Sequence, residues 1–589
     1  MRFDLAHGSL DLDTIRAAYR SESLTPEQLI EALYQRMERD ALPGAFIHRV
    51  SKQEALAQAR ELAQRHRPAE LPLYGVPFAV KDNIDVAGMP TTAGCPAFAY
   101  IAERSAPTVD ALLRAGALCL GKVNLDQFAT GLIGTRSPYG ACQNVFDVEI
   151  VSGGSSSGSA VVVAAHHVTF ALGTDTAGSG RVPAALNNIV GLKPSLGLLD
   201  GTSMVPACAS LDCVSVFALC VRDAVEVRRI MLGRPVTELS APSAFRFGVP
   251  AALHAEVDTA QSAAFASAVQ ALRMLGGTAV ATDFTPFYEL GLMLYGTSVA
   301  ERYLAVGAFI EGQPGEVLPI TRDIILRGKE IDRATALAGT QRITRLRLLC
   351  QQLLAPLDLL VTPTIPRPVS RSEDLREPQR ANDVLGIYTR FANYVGSPVL
   401  AVPAGFRSDG LPFGVSLIGK PGEDERIDAL GALLHAQSGA GMGRSRHTLT
   451  EPKVATPSSS QRARVAVVGA HMAGLALNSQ LLELSATFAE TTRTAARYRL
   501  FVLPGTSPER PGLVQVASGG HSIELEVWEM TWSALGQLMA RVPPPLAIGT
   551  LELEHGERVK GFLCESFASE GARDISELGG YRAYLAQRT

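Results

Sequence analysis

The 589 residues are 47% apolar and 19% charged, with a formal net charge of −4. Such a chain can bury a sizeable core and divide into two or more domains, and its small charge and dispersed lysines and arginines exclude nucleic acid as the expected partner. The N-terminal stretch lacks the basic-then-apolar order of a signal peptide, and no run of about eighteen apolar residues occurs, so a cytoplasmic protein with no membrane partner is expected. The eight cysteines are scattered without a CxxC pair, which is reducing-compartment usage and gives neither a disulfide framework nor a zinc site.

The first helix is announced by Thr25-Pro26-Glu27-Gln28: a hydroxyl cap, proline at the first helical position and a glutamine able to reach back. Leu29, Ile30, Leu33, Tyr34 and Met37 then recur at helical spacing. An apolar run, Val76 to Val80, delivers Lys81 at the end of a buried strand, where poor hydration favours the neutral amine that a general base needs. TVDALLRAGALCLGKVNLDQFATG reads as a helix, a strand and the start of a second helix. Its GALCLGK comes near the phosphate-binding GxxxxGK[ST] pattern, but Val123 offers no hydroxyl and ALCL reads as a buried strand, so nucleotide binding is set aside.

Two glycine and hydroxyl clusters follow, GGSSSGSA (Gly153 to Ala160) and GTDTAGSGR (Gly173 to Arg181), with Ser155 and Ser179 lying 24 positions apart. Glycine at this density lets the backbone approach a ligand, and a serine there needs a base to become a nucleophile. Read as GxSxG, Gly154 to Gly158 would put Ser156 on an α/β-hydrolase elbow. That alternative lacks a histidine in a catalytic setting and leaves the second cluster without a purpose. Ser156, Ser157 and Ser159 read instead as helix-starting residues, and Asp175 as a brace for its loop.

Lys81 within GVPFAVKDNIDVAGMPTTAG and the two clusters together resemble the amidase signature family; the likeness extends to TRFANYVGSPVLAVPAGF and GLPFGVSLIGKPGED and covers most of residues 20–440. The resemblance implies an α/β fold with a central mixed β-sheet covered by helices. It also implies a site in which Ser179 is the nucleophile, Ser155 a relay on a cis peptide bond and Lys81 the base, with no cofactor or metal. The backbone N–H groups of Thr176, Ala177, Gly178 and Ser179 are then the candidate oxyanion hole.

Gly180 stands where most members carry isoleucine, and a further segment follows the amidase section; both features resemble the allophanate hydrolases, a branch of that family. Within YGTSVAERY, Tyr295 and Arg302 are then the substrate-binding pair, one residue closer together than is usual in that branch. An arginine suits this small anionic substrate, allophanate, because a guanidinium fork matches a carboxylate. The resemblance also implies a homodimer and a place in urea or s-triazine nitrogen catabolism. A general amidase or the glutaminase component of a tRNA amidotransferase is the alternative.

The expected domains are 1–440, a Gly-, Ser- and Pro-rich linker at 441–463, and 464–589. In the last, Ile523, Leu525 and Val527 alternate as in a strand, and LELEHGERVKGFLCE reads as a hairpin. VAVVGAHMAG carries His471 where a dinucleotide fingerprint needs glycine, so that reading is set aside. Resemblance instead implies a compact, mostly β domain like γ-glutamyl cyclotransferase, which decarboxylates N-carboxycarbamate or serves only assembly. His471 is its candidate site residue, ahead of His521.

Overall fold

The computed structural model describes all residues except 1–3, 6, 450–453, 456–461, 485, 506–508 and 589. The chain forms two compact units, Met1–Thr456 and Pro457–Thr589.

The first unit is built on an eleven-stranded mixed sheet. In chain order its strands are β1 (Phe46–Arg49), β2 (Pro77–Lys81), β3 (Leu118–Val123), β4 (Phe170–Asp175), β5 (Val190–Lys193), β6 (Cys213–Ala218), β7 (Phe245–Pro250), β8 (Gly277–Thr282), β9 (Leu359–Pro363), β10 (Val399–Phe406) and β11 (Pro412–Ile418). They lie in the order β1-β3-β2-β4-β6-β5-β10-β11-β9-β7-β8. β2 runs parallel to both β3 and β4, whereas β4, β6, β5, β10 and β11 pair antiparallel in turn.

Successive side chains of a strand point to opposite faces, and here each face feeds its own core. Phe78 and Val80 join Phe170, Leu172, Val214 and Val216 in one cluster. Ala79 and Ala171 join a second, with Val161 to Ala164 of the helix Ser157–Ala164. The same alternation assigns Lys81 to the side of Ala79, the side on which the helix that follows Ser155 and Ser156 is packed. The meeting of residues 81 and 155 is therefore a consequence of strand pleat and helix placement together.

The helix Pro26–Arg39 begins with the expected capping box, in which Thr25 accepts from the Gln28 N–H while Gln28 accepts from the Thr25 N–H. GALCLGK is the buried strand β3, and Lys122 spends its charge on Asp82 at 3.2 Å, both side chains fully buried. The second helix start expected after β3 is only a single 3-10 turn, Gln127–Ala129, with Phe128 and Ala129 at φ near 51° and 52°. A left-handed pair ends a helix before it can propagate.

The linker expected at 441–463 is in part ordered structure of the first unit. Gly443 and Arg444 donate backbone N–H groups to Asn188 and Ala164. Asn188 Nδ2 in turn donates to the Ala440 and Gly443 carbonyls, and Val454–Ala455 pairs with Leu239–Ser240. Its composition suits a linker, but these backbone groups have found partners. Residues 450–453 and 456–461 lie outside the described residues.

In the second unit, Arg462–Val467 (β12), Thr487–Arg493 (β13), Glu524–Thr531 (β16), Leu546–Glu552 (β17) and Arg558–Cys564 (β18) form a five-stranded sheet ordered β13-β16-β12-β18-β17. Tyr498–Leu503 (β14) and Arg510–Gln515 (β15) form a smaller sheet with Arg573–Asp574. The expected hairpin is the antiparallel pair β17 and β18. Ile523, Leu525 and Val527 share one core, while Trp528 and Met530 enter another, so the larger sheet is covered on both faces.

Candidate active site

Lys81, Ser155 and Ser179 are 0%, 0% and 2% exposed. Lys81 Nζ and Ser155 Oγ form a 2.8 Å hydrogen bond, and Nζ also lies 2.7 Å from Thr174 Oγ1. Burial lowers the Lys81 amine to about 7, opposed by the charges of Asp126, Asp212 and Asp175. An amine in that range is substantially neutral at physiological pH, with a lone pair available to a proton. The Gly154–Ser155 peptide bond is cis. Ser179 Oγ makes no side-chain hydrogen bond among the described residues, so the structure joins Lys81 to Ser155 but leaves the Ser179 hydroxyl open. Among the described residues no histidine ring bonds to any of the three; the rings of His254, His435, His471 and His555 bond instead to Glu256, Gly441, Gln480 and Glu557.

Asp126 holds the first glycine cluster. Its carboxylate accepts the N–H groups of Ile133, Gly134 and Arg136, and its own N–H donates to the Ser155 carbonyl. A side chain on Gly154 would collide with that carboxylate. Ser156 Oγ donates to the Thr174 carbonyl at 3.1 Å, and Ser159 Oγ to that of Leu172, so both act as structural residues and the hydrolase-elbow alternative loses its nucleophile.

Asp175 braces the second cluster. It takes a bidentate bond from Arg181, Nε to Oδ2 and Nη2 to Oδ1, each at 2.8 Å, and accepts the N–H groups of Gly178 and Gly180 at 2.9 Å. Burial alone would raise this carboxyl; the Arg181 charge and these bonds hold it down at about 2. The Gly178 N–H, one of the four candidate oxyanion donors, is instead spent on Asp175, and the candidates that stay are the N–H groups of Thr176, Ala177 and Ser179. Gly178 adopts φ +129°, and a Cβ there would strike Thr389. Gly180 has its own reason to lack a side chain, since Ser215 lies beneath it.

Arg302 sits on the helix Val299–Gly312 and is 2% exposed. Its Nη1 donates to Thr130 Oγ1 at 2.9 Å, and among the described residues its Nε has no partner and no carboxylate forms a salt bridge with it, although its charge is felt at the Asp212 carboxyl. A buried guanidinium without a counter-ion is costly, and an anionic ligand would relieve it. The neighbouring Glu301 is occupied by the Ser210 N–H and hydroxyl. Tyr295 lies close by, with the Arg302 guanidinium 5.9 Å and that of Arg390 4.9 Å from its ring centre. It lines a cavity of about 480 Å³ with Tyr288, Gln379, Asp383, Gly386 and Arg390, and none of the three residues of the lysine and serine group lines it.

Asp126, Thr130, Asn382 and Thr389 are not among the candidates that the sequence motifs supply. Asp126 alone carries a local signal, as a turn residue after a strand.

In the second unit the half-buried His471 stacks on Phe562 at 4.8 Å and bonds Gln480 Oε1 through Nε2 at 3.0 Å. Burial pushes its imidazole below the usual range. His521 is engaged through its backbone with Tyr498. Glu490, His555 and Glu557 lie close enough to hold an ion, yet Arg464 pairs with both glutamates.

The family model described as Amidase matches residues 28–427, and the one described as Allophanate hydrolase C-terminal domain matches 463–586. The chain belongs to the amidase family and is by class an amidohydrolase. Within that class, it is 38% identical to the solved Kluyveromyces lactis allophanate hydrolase, covering 98% of this chain and 99% of that one at a TM-score of 0.74. It is 41% identical to the urea amidolyase of Saccharomyces cerevisiae over 96% of this chain but 32% of that protein, and thus spans about a third of that relative. A glutamyl-tRNA(Gln) amidotransferase component from Deinococcus deserti is 33% identical, over 70% of this chain and 93% of that one.

Proposed function

We propose that the chain hydrolyses allophanate to ammonia and carbon dioxide in urea catabolism. The carrying observation is the buried Lys81 amine, lowered to about 7 and hydrogen-bonded to Ser155. Neutral Lys81 accepts the Ser155 proton while Ser155 takes that of Ser179, whose Oγ attacks the terminal amide carbon. The N–H groups of Thr176, Ala177 and Ser179 receive the developing oxyanion. On collapse the carbon–nitrogen bond breaks, the proton returns through Ser155 to the leaving nitrogen, and ammonia departs. Water then resolves the acyl-enzyme and regenerates Ser179.

Arg302 supplies the countercharge for the substrate carboxylate, with Tyr295 beside it; burial without a salt-bridge partner among the described residues supports that role. Residues 1–440 carry this step. Residues 464–589 decarboxylate the released N-carboxycarbamate, with His471 as the residue through which that step is tested. The same reading takes the enzyme to be a cytoplasmic homodimer.

The test is a screen of purified protein on allophanate, malonamate, glutamine and neutral amides. Allophanate is expected to have the highest kcat/KM, and a preference for glutamine would replace this reading with a glutaminase.

A further inference from the structure

The substrate end of the site is fixed by a residue that none of the motifs contains. Asn382 is fully buried in the helix Pro378–Leu385. Its Oδ1 accepts the Leu132 N–H at 2.8 Å, and its Nδ2 donates to the Tyr295 hydroxyl oxygen at 3.2 Å. A backbone N–H can only donate, so Leu132 determines which end of the amide faces each neighbour: oxygen to Leu132, nitrogen to Tyr295. The tyrosine oxygen is thereby an acceptor toward Asn382. Its own O–H has no acceptor among the described residues; the residue lines the cavity together with Arg390, and the Arg302 guanidinium lies 5.9 Å from its ring centre.

The same asparagine ties this end to the relay serine. Arg390, over the Tyr295 ring, donates from Nη2 to the Asn382 carbonyl at 3.1 Å. Leu132, held by the Asn382 side chain, accepts the Gly154 N–H at 2.8 Å, and Gly154 precedes Ser155.

We infer that Asn382 is a positioning residue: with its oxygen locked on Leu132, it donates to Tyr295 and so leaves the Tyr295 O–H aimed as a donor for a substrate carboxylate. The inference rests on the reading that the substrate carries a carboxylate at Tyr295 and Arg302. It makes Asn382 a determinant of anionic over neutral amides.

The experiment measures kcat and KM for allophanate and for propionamide, a neutral amide, in the wild type, Asn382→Asp, Tyr295→Phe and the double variant. An aspartate keeps an acceptor for Leu132 but puts an acceptor oxygen where the donating amide nitrogen stood, so the Tyr295 proton is drawn to it and away from substrate. Asn382→Asp is expected to raise KM for allophanate about tenfold or more, with much smaller changes in kcat and in propionamide turnover. In the Tyr295→Phe background the same substitution should raise KM less than about threefold. A full-sized effect in that background would mean that the new charge acts without the tyrosine, and would overturn the inference. So would parallel losses on both substrates with a fallen Tm. Tyr295→Phe alone must also raise KM for allophanate, and wild-type KM there overturns the inference even if Asn382→Asp does not fold. Retained allophanate preference in Asn382→Asp removes this inference alone, whereas a wild type without that preference removes the carboxylate reading as well.

Discussion

Lys81 Nζ and Ser155 Oγ meet at 2.8 Å with both side chains fully buried, one at the end of a strand and the other on a glycine-rich turn. Ser155 stands at the foot of the turn that starts the helix Ser157–Ala164, and that helix packs on the face of β2 to which Lys81 belongs. The pair is therefore positioned by the sheet and the helix packed on it.

A base at about 7 sets the pH dependence. If Lys81 is the proposed base, only its neutral form takes the proton, so kcat is expected to rise with pH through about 7 and then level, as a rate profile from pH 5 to 9 would reveal. Lys81→Ala should lower kcat by about a thousandfold or more with an unchanged circular dichroism spectrum. Near wild-type turnover would refute the base assignment.

Arg302→Met removes a buried charge and keeps much of the side-chain volume. KM for allophanate is expected to rise by about tenfold to a hundredfold while neutral-amide turnover changes far less, measured by ammonia release. The apo protein should be no less stable than wild type, because the buried cation it loses has no salt-bridge partner among the described residues.

The Asp175–Arg181 pair is expected to dominate acid stability near the nucleophile. Its carboxyl lies at about 2 when folded against about 3.9 unfolded, so the contribution is present above about pH 4 and is lost as pH falls through 2. That contribution is about 2–3 kcal/mol. Arg181→Met, which leaves the carboxylate buried and unpaired, should cost about 3–5 kcal/mol in urea unfolding at pH 7. A cost below about 1 kcal/mol would contradict the bracing role.

His471→Ala should leave the ammonia released by the first step unchanged and slow carbon dioxide release at least about tenfold, followed by stopped-flow with a pH indicator. Equal rates in the two proteins would reduce the second unit to a non-catalytic role.

Much of this site is legible in the sequence because its signals are local. A lysine closing an apolar run and serines inside glycine clusters are visible within a dozen residues, and Asp175 between two threonines already reads as a brace. What joins those pieces is not. Asn382 meets Leu132 and Tyr295 across 250 and 87 positions, and Thr389 meets the Ala177 carbonyl across 212. No periodicity encodes such contacts. The Gly178 N–H escapes a sequence reading for the same reason: a turn that offers donors to a ligand offers them equally to Asp175. Composition marks 441–463 as a linker, because composition records that a segment can be solvated and not that Asn188 is waiting for the Gly443 carbonyl.

The alternation along β2 carries an evolutionary consequence. Inserting or deleting one residue between Pro77 and Val80 would turn position 81 onto the side of Phe78, among Phe170 and Leu172, with its amine facing hydrocarbon instead of Ser155. The length of this segment is thus fixed by the site, and related chains that keep the chemistry should align across it without a gap.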